Sequence, residues 1–248
     1  MTDAQLARAV ADEAGALLLA IRARSDVTGK ALGARGDARA NALILDRLRA
    51  ARPGDFILSE ESIDDRARCA ASRVWIVDPL DGTREYAEGL DDWAVHVALA
   101  IDGLPAQGAV AVPARGLTHA TDTAPRTERP LGTPPRMVVS RTRCPDLATH
   151  VAAALGAAMI PMGSAGAKAM AVVEGAADIY LHDGGQYEWD NCAPAAVALA
   201  AGLHASRIDG SPLRYNCAHP LLPDLLICRR ELADQVLAAI GAVLARSR

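Results

Sequence analysis

The 248-residue sequence is 51% hydrophobic, enough for one large core or two packed halves, and its 26 basic and 30 acidic residues give a formal net charge of −4. That balance offers no extended positive field for a nucleic-acid polymer or an anionic membrane surface, which leaves a small molecule as the expected partner. The five cysteines form no CxxC pair, so they read as reduced thiols of a cytoplasmic protein rather than zinc or redox ligands.

Leu6, Val10, Leu17, Leu18 and Ile21 recur at helical spacing, and Asp3, Arg8, Asp12, Glu13, Arg22 and Arg24 are interleaved with them. A first amphipathic helix is expected there, and no export signal. Gly29, Gly33 and Gly36 are expected to break the chain before a second helix, which starts at Asp37 and carries Leu43, Ile44 and Leu48. Residues 56–58 and 74–77 are short apolar runs, each ending at a carboxylate. Residues 93–101, 107–112 and 117–121, with a turn at Asp102-Gly103, continue as an antiparallel meander. Residues 122–135, with four prolines, one glycine and several charges, are the expected boundary between an α+β half, 1–125, and an α/β half, 126–248. In the second half, strands at 137–140, 159–162, 178–181, 204–208 and 225–228 alternate with helices at 145–155, 166–174, 191–201 and 231–246. The charge-free stretch 147–167 has the length of a membrane span, but its small residues, His150 and Pro161 fit a helix running into a buried strand.

Trp75-Ile76-Val77-Asp78-Pro79-Leu80-Asp81-Gly82-Thr83 places two carboxylates three residues apart directly after an apolar strand. Hard divalent cations take such oxygen ligands, and magnesium in particular is held by a few carboxylates together with water and substrate phosphate. A surface turn would use the same residue types. Glu60-Glu61 after the preceding strand, and Trp189-Asp190 opening a helix more than 100 residues later, weigh against the plain turn.

Taken in order, Glu60-Glu61-Ser62, Asp78 to Thr83 and Trp189-Asp190 resemble the inositol monophosphatase superfamily of magnesium-dependent, lithium-sensitive phosphatases. The resemblance implies an α/β layered αβαβα sandwich of the inositol monophosphatase/fructose bisphosphatase type, with the acidic site where two halves meet. It implies that Glu60, Asp78, Asp81, Asp190 and the Leu80 carbonyl hold two or three Mg²⁺ ions, with Glu61 less central. Four converging carboxylates without a cation are costly, since two of them ~4 Å apart repel by about 4 kcal/mol at an effective dielectric near 20.

The resemblance also pairs Asp37 with the Thr83 hydroxyl, which positions and deprotonates the attacking water; a helix N-cap is the other reading of Asp37. Gly82 and Thr83 would offer backbone N–H groups to the phosphate, with Arg84 adding a charge or simply lying in solvent. His96, on an alternating strand, reads as a core or surface histidine rather than a ligand. No serine-nucleophile elbow, phosphate-binding P-loop or dinucleotide fingerprint accompanies a suitable strand and helix.

Arginine outnumbers lysine 24 to 2, which singles out Lys30 and Lys168. Gly163-Ser164-Ala165-Gly166-Ala167-Lys168 precedes a helix and can present backbone donors, a hydroxyl and a cation to an anion; the stretch Ser164 to Gly175, together with 184–190 and 210–215, is most similar to the CysQ-type branch, which removes the 3′-phosphate of 3′-phosphoadenosine 5′-phosphate, a by-product of sulfate activation. On that resemblance Glu60, Gly82, Thr83, Arg84, Ser164, Lys168 and Asp190 contact substrate; otherwise Lys168 is a surface lysine on a helix. Inositol-1-phosphatase or fructose-1,6-bisphosphatase activity is the alternative within the superfamily, and a non-catalytic metal-dependent nucleotide sensor the alternative outside it. The oligomeric state stays open, with a homodimer among the options.

Overall fold

A computed structural model describes residues 1–126 and 129–246; Thr127 and Glu128, within the expected boundary segment, lie outside the described residues. Helices α1 (Asp3–Arg24) and α2 (Gly29–Ala51) open the chain. Thr2 caps α1 by accepting from Gln5 N while the Gln5 side chain accepts from Thr2 N, so two orphan N–H groups of the first turn are satisfied.

Strands β1 (Phe56–Ser59), β2 (Arg73–Asp81), β3 (Ala94–Ile101), β4 (Leu104–Val112) and β5 (Leu117–Ala120) form one sheet in that order. β1 and β2 pair in parallel and the rest are antiparallel, so the meander expected from β3 onward is observed. A short helix α3 (Thr83–Ala87) follows β2. The second sheet has the order β10 (His204–Ser206), β12 (Leu225–Cys228), β8 (Ile179–His182), β6 (Arg136–Ser140), β7 (Ala158–Met162). Helices α4 (Asp146–Leu155), α5 (Ala165–Val173), α6 (Glu188–Ala200) and α7 (Ala233–Arg246) accompany it, and β9 (Gln186–Tyr187) pairs with β11 (Leu221–Leu222) as a small ribbon.

Period-2 alternation explains the layers. Trp75 and Val77 of β2 pack with α1 and α2, while Val74 and Ile76 point the other way, against α5 and α6. In the second sheet Tyr180 and Ile227 share that middle core, whereas Ile179, Leu181 and Leu226 face α4 and α7. The result is the αβαβα sandwich, in which β2 is buried on both faces as its unbroken apolar run requires. Among the described residues no helix is long and apolar enough to cross a membrane, and all five cysteines are free thiols.

Two elements differ from expectation. β7, expected as a buried strand after α4, lies at the edge of its sheet with Ala158, Met159 and Pro161 exposed, where a proline costs no ladder hydrogen bond. The glycines do not separate two helices: α2 already begins at Gly29, and Asp37 lies well inside it, so Asp37 is no N-cap. Close packing explains the glycines better than backbone freedom does. A Cβ on Gly33 would stand 2.6 Å from Thr83 Cγ2, and one on Gly36 about 3.1 Å from Leu18 and Leu80. The smooth face lets α2 lie against the loop after β2, which brings Asp37, the next residue, to that loop.

Candidate active site

The site forms where β2 ends, with Ser59 of β1 beside it. Ser59, one residue before Glu60, is buried and donates to Asn41 Oδ1 at 2.7 Å, while Asn41 Nδ2 donates to the Glu61 carbonyl at 3.2 Å. α2 thereby fixes the Glu60-Glu61 segment. β2 keeps its pairing with β3 past Asp78, through a register shift, to Asp81. The irregularity re-aims Asp81 toward the same space as Asp78, as a bulge beside a site does. Asp78 Oδ1 accepts from Leu80 N at 3.0 Å, which closes the Asp-Pro-Leu turn on itself.

From the second half, the first turn of α6 delivers Asp190, whose Oδ2 accepts from Tyr187 N at 2.5 Å. That turn is tied down from behind. Buried Glu188 accepts from Asn216 N at 2.7 Å and Cys217 N at 2.8 Å, and Asn216 in turn exchanges hydrogen bonds with Arg68 at 2.9 Å.

Asp78, Asp81 and Asp190 converge, with one carboxylate oxygen of each lying within 4.8 Å of the others. Burial and the repulsion of Glu60, Asp81 and Asp190 push Asp78 well above the ordinary carboxylate range, and burial with Asp81 raises Asp190 to about 7. Glu60 is exposed at the rim, yet its crowded surroundings raise its pKa, with Asp81 and Glu61 adding to the rise and a contact with Asp78 opposing it. Asp81 behaves oppositely: against the cost of its burial, His96, Lys168 and the Ser164 hydroxyl hold it down at about 2. Hard oxygen donors, crowded and mutually repelling, suit a divalent cation, so the residues fit the magnesium the sequence implies.

Asp81 sits in a cradle made by the start of α5. Its Oδ2 accepts from the Ser164 hydroxyl and from Gly166 N at 2.7 Å. Ser164 is also the N-cap of α5, accepting from Ala167 N at 3.0 Å. Its φ of +53° is a conformation that costs a non-glycine residue of order 1–3 kcal/mol and persists only where surrounding bonds over-determine it. Lys168, 5% exposed, reaches back from α5 to donate to the Ser164 carbonyl at 2.6 Å and the Gly163 carbonyl at 3.3 Å, and stands 5.4 Å over the Tyr180 ring. Burial lowers its pKa, with Asp81 opposing. It is therefore not the surface lysine of the alternative reading, whereas Lys30 is exposed at the start of α2. Asp92 braces the cradle from outside, accepting from Gly163 N at 2.6 Å and from Arg141 at 2.5 Å.

The Thr83 hydroxyl donates to the Leu80 carbonyl at 3.0 Å, and it also faces Asp37. Burial first, then Glu61 and Glu60, raise Asp37 to about 7, with the Thr83 hydroxyl pulling it down.

A cleft of about 800 Å³ opens over these groups. Asp81, Gly82, Thr83, Arg84, Ser164, Lys168 and Asp190 line it, whereas Asp37, Glu60, Asp78 and Leu80 stand outside its lining. Arg143, Tyr180, His182 and Gln186 also line it and went unnoticed in the sequence. Arg143 had a signal, the Ser140-Arg141-Thr142-Arg143 run directly after a strand; Gln186 lies within the 184–190 stretch that resembles the CysQ-type branch, but β9 is too short for a pattern to single it out. His96 is the core histidine of the expected alternatives, fully buried, and its ring stands beside Asp81.

The inositol monophosphatase family model matches residues 3–244. The 3′-phosphoadenosine 5′-phosphate phosphatase of Mycobacterium tuberculosis (strain CDC 1551 / Oshkosh) is 53% identical over 239 residues, 92% of this chain and 90% of that one. The protein of the same name from Mycobacterium leprae (strain TN) is 51% identical, with coverage of 98% and 95%. The 3′(2′),5′-bisphosphate nucleotidase CysQ of Escherichia coli (strain K12) is 31% identical over 73% of this chain and 78% of its own. The crystal structure of CysQ from Bacteroides thetaiotaomicron superposes with a TM-score of 0.77 at 25% identity, covering 92% of this chain and 97% of that chain. Fold, acidic trio and matched length agree, and this chain belongs to the inositol monophosphatase family.

Proposed function

We propose that this protein is a magnesium-dependent phosphomonoesterase that removes the 3′-phosphate of 3′-phosphoadenosine 5′-phosphate, releasing AMP and phosphate. The relatives that bear this activity in their names support it, but the observation that carries it is the charge of the cleft wall. Arg84, Arg143 and Lys168 line one cleft with Asp81 and Asp190, and among the described residues none of these three cations has a carboxylate within ion-pair distance. Cations around a cavity whose charge no carboxylate neutralises, Lys168 among them although it also donates to two carbonyls, are suited to a ligand with more than one anionic group.

In this reading Glu60, Asp78, Asp81, Asp190 and the Leu80 carbonyl hold two or three Mg²⁺ ions, which would supply polarisation of the scissile phosphoryl oxygen and activation of water. The chain's own residues do the rest. Thr83, oriented by Asp37, positions the attacking water and takes its proton, and ionised Asp37 is the ultimate acceptor. Gly82 and Thr83 N–H groups and Arg84 hold the scissile phosphate. Lys168, with Ser164 shaping its loop, serves the second phosphate, and Arg143 flanks the same part of the cleft. Ser164 acts through its neighbours, because its one hydroxyl proton is on Asp81. The division at 125/126 belongs to the same proposal, supported by each sheet being drawn from one side of that connection. So does a cytoplasmic location, where the substrate of a sulfate-activation by-product phosphatase would arise.

The test is a panel of 3′-phosphoadenosine 5′-phosphate, adenosine 3′-phosphate, inositol-1-phosphate and fructose-1,6-bisphosphate with magnesium. A charge-assisted contact contributes roughly 1.5 to 3 kcal/mol, so the bisphosphate nucleotide should exceed adenosine 3′-phosphate about 10 to 150-fold in kcat/KM. Lys168→Ala and Arg143→Ala should each shrink that ratio and leave inositol-1-phosphate nearly unchanged. Equal losses on every substrate would assign the two cations to the scissile phosphate or the fold and return inositol-1-phosphate to the front.

A further inference from the structure

His96 lies on β3, in the run Ala94-Val95-His96-Val97-Ala98, and is fully buried. A buried imidazole in an apolar strand has to be placed by what its two nitrogens face. Nδ1 is 2.9 Å from the carbonyl oxygen of Trp189, the residue before Asp190. Nε2 is 3.3 Å from Asp81 Oδ2, an ion-pair distance without full hydrogen-bond alignment. One ring therefore spans from a carboxylate of the first half to the opening turn of α6 in the second. The local sequence makes room for it, since a Cβ on Gly166 would fall 2.1 Å from Nε2. Gly166 N meanwhile binds the same Asp81 oxygen at 2.7 Å.

We propose that His96 is a positioning residue that sets the spacing between Asp81 and Asp190, and thereby the affinity of the acidic trio for its divalent cation. The inference rests on the magnesium reading above. Asp81 and Asp190 come from different halves and repel one another, and although each is held by its own hydrogen bonds, the ring of His96 stands between the first carboxylate and the turn that carries the second. With Nδ1–H donating to the Trp189 carbonyl and Nε2–H facing Asp81, the imidazolium ring ties the Asp81 carboxylate to the backbone that carries Asp190. Groups of this kind, which orient ligands without touching the ion, typically change metal affinity 10 to 100-fold when removed.

The experiment is calorimetric titration of metal-free protein with Mg²⁺ in the absence of substrate, on wild type, His96→Asn and His96→Leu, alongside thermal melts of the metal-free forms. Asn keeps a donor near the Nδ1 position and loses the reach to Asp81; Leu loses both. The expected result is weaker Mg²⁺ binding by about 10 to 100-fold in His96→Leu, with His96→Asn between it and wild type. Activity at saturating Mg²⁺ should recover largely in both. Should His96→Leu fail to fold, His96→Asn against wild type carries the same comparison. Equal Mg²⁺ affinity in folded variants and wild type overturns the proposal and leaves His96 a core residue, as does a loss of activity that excess Mg²⁺ does not restore. Absence of Mg²⁺ binding by wild type would instead overturn the magnesium reading.

Discussion

Asp190→Asn is expected to lose nearly all phosphate release at magnesium concentrations that saturate the wild type, while its metal-free form is at least as stable as the wild type at pH 8. The two effects have one cause. Asp190 is one of three carboxylates whose oxygens lie within 4.8 Å of one another, and it stands at about 7 rather than 3.8 because burial and Asp81 oppose its charge. Asparagine can still accept from Tyr187 N, so the first turn of α6 keeps its bond, but the amide no longer repels Asp81 or offers an anionic ligand.

The pH dependence follows in sign. Asp37 and Asp190 have folded-state values of about 7 against 3.8, so between these values the folded protein binds more protons than the unfolded chain. The stability they contribute is full below pH ~4 and is lost as pH rises through about 7. Asp78 and His96, both raised, act in the same sense, while Asp81, at about 2, matters only in stronger acid. Metal-free wild type should therefore melt lower at pH 8 than at pH 5, and Mg²⁺ should raise its melting temperature more at pH 8. Calorimetry of both proteins at the two pH values, with and without Mg²⁺, reads this out. A wild-type rate in Asp190→Asn would remove the residue from the metal set.

Thr83→Ala is expected to slow hydrolysis by ~10² to 10⁴-fold, the range of general-base assistance, with KM changed far less. The threonine hydroxyl lies between the Leu80 carbonyl and Asp37, and its methyl group meets the smooth face of α2 at Gly33. Thr83→Ser should retain most of the rate, because it keeps the hydroxyl. Asp37→Asn should resemble Thr83→Ala, and the double variant should be no worse than either alone, since two residues that act as one unit lose their function once. Losses that multiply in the double variant would show two independent roles.

Much of this was legible because the chemistry interrupts strong patterns. Apolar runs of strand length end at Glu60 and Asp78, and an aromatic-acid pair opens a helix at Asp190. The layering came from family resemblance, since period-2 strands say which faces are buried but not by what. Asp37 was misplaced for a physical reason: Gly29, Gly33 and Gly36 have poor helix propensity, which tertiary packing against Thr83 and Leu80 overrides. His96 is a core histidine, as its place on an alternating strand implies, but alternation marks a face as buried without naming the neighbour across it, here Asp81. Arg143, His182 and Gln186 meet only when β6 and β8 are paired in the second sheet, a pairing no local signal encodes.

The most direct test of the central claim is chromatography of the products formed from 3′-phosphoadenosine 5′-phosphate by the metal-stripped protein before and after adding Mg²⁺. No turnover is expected before addition, and AMP with one equivalent of phosphate after it. Turnover in excess chelator, or formation of adenosine 3′-phosphate in place of AMP, would contradict the claim.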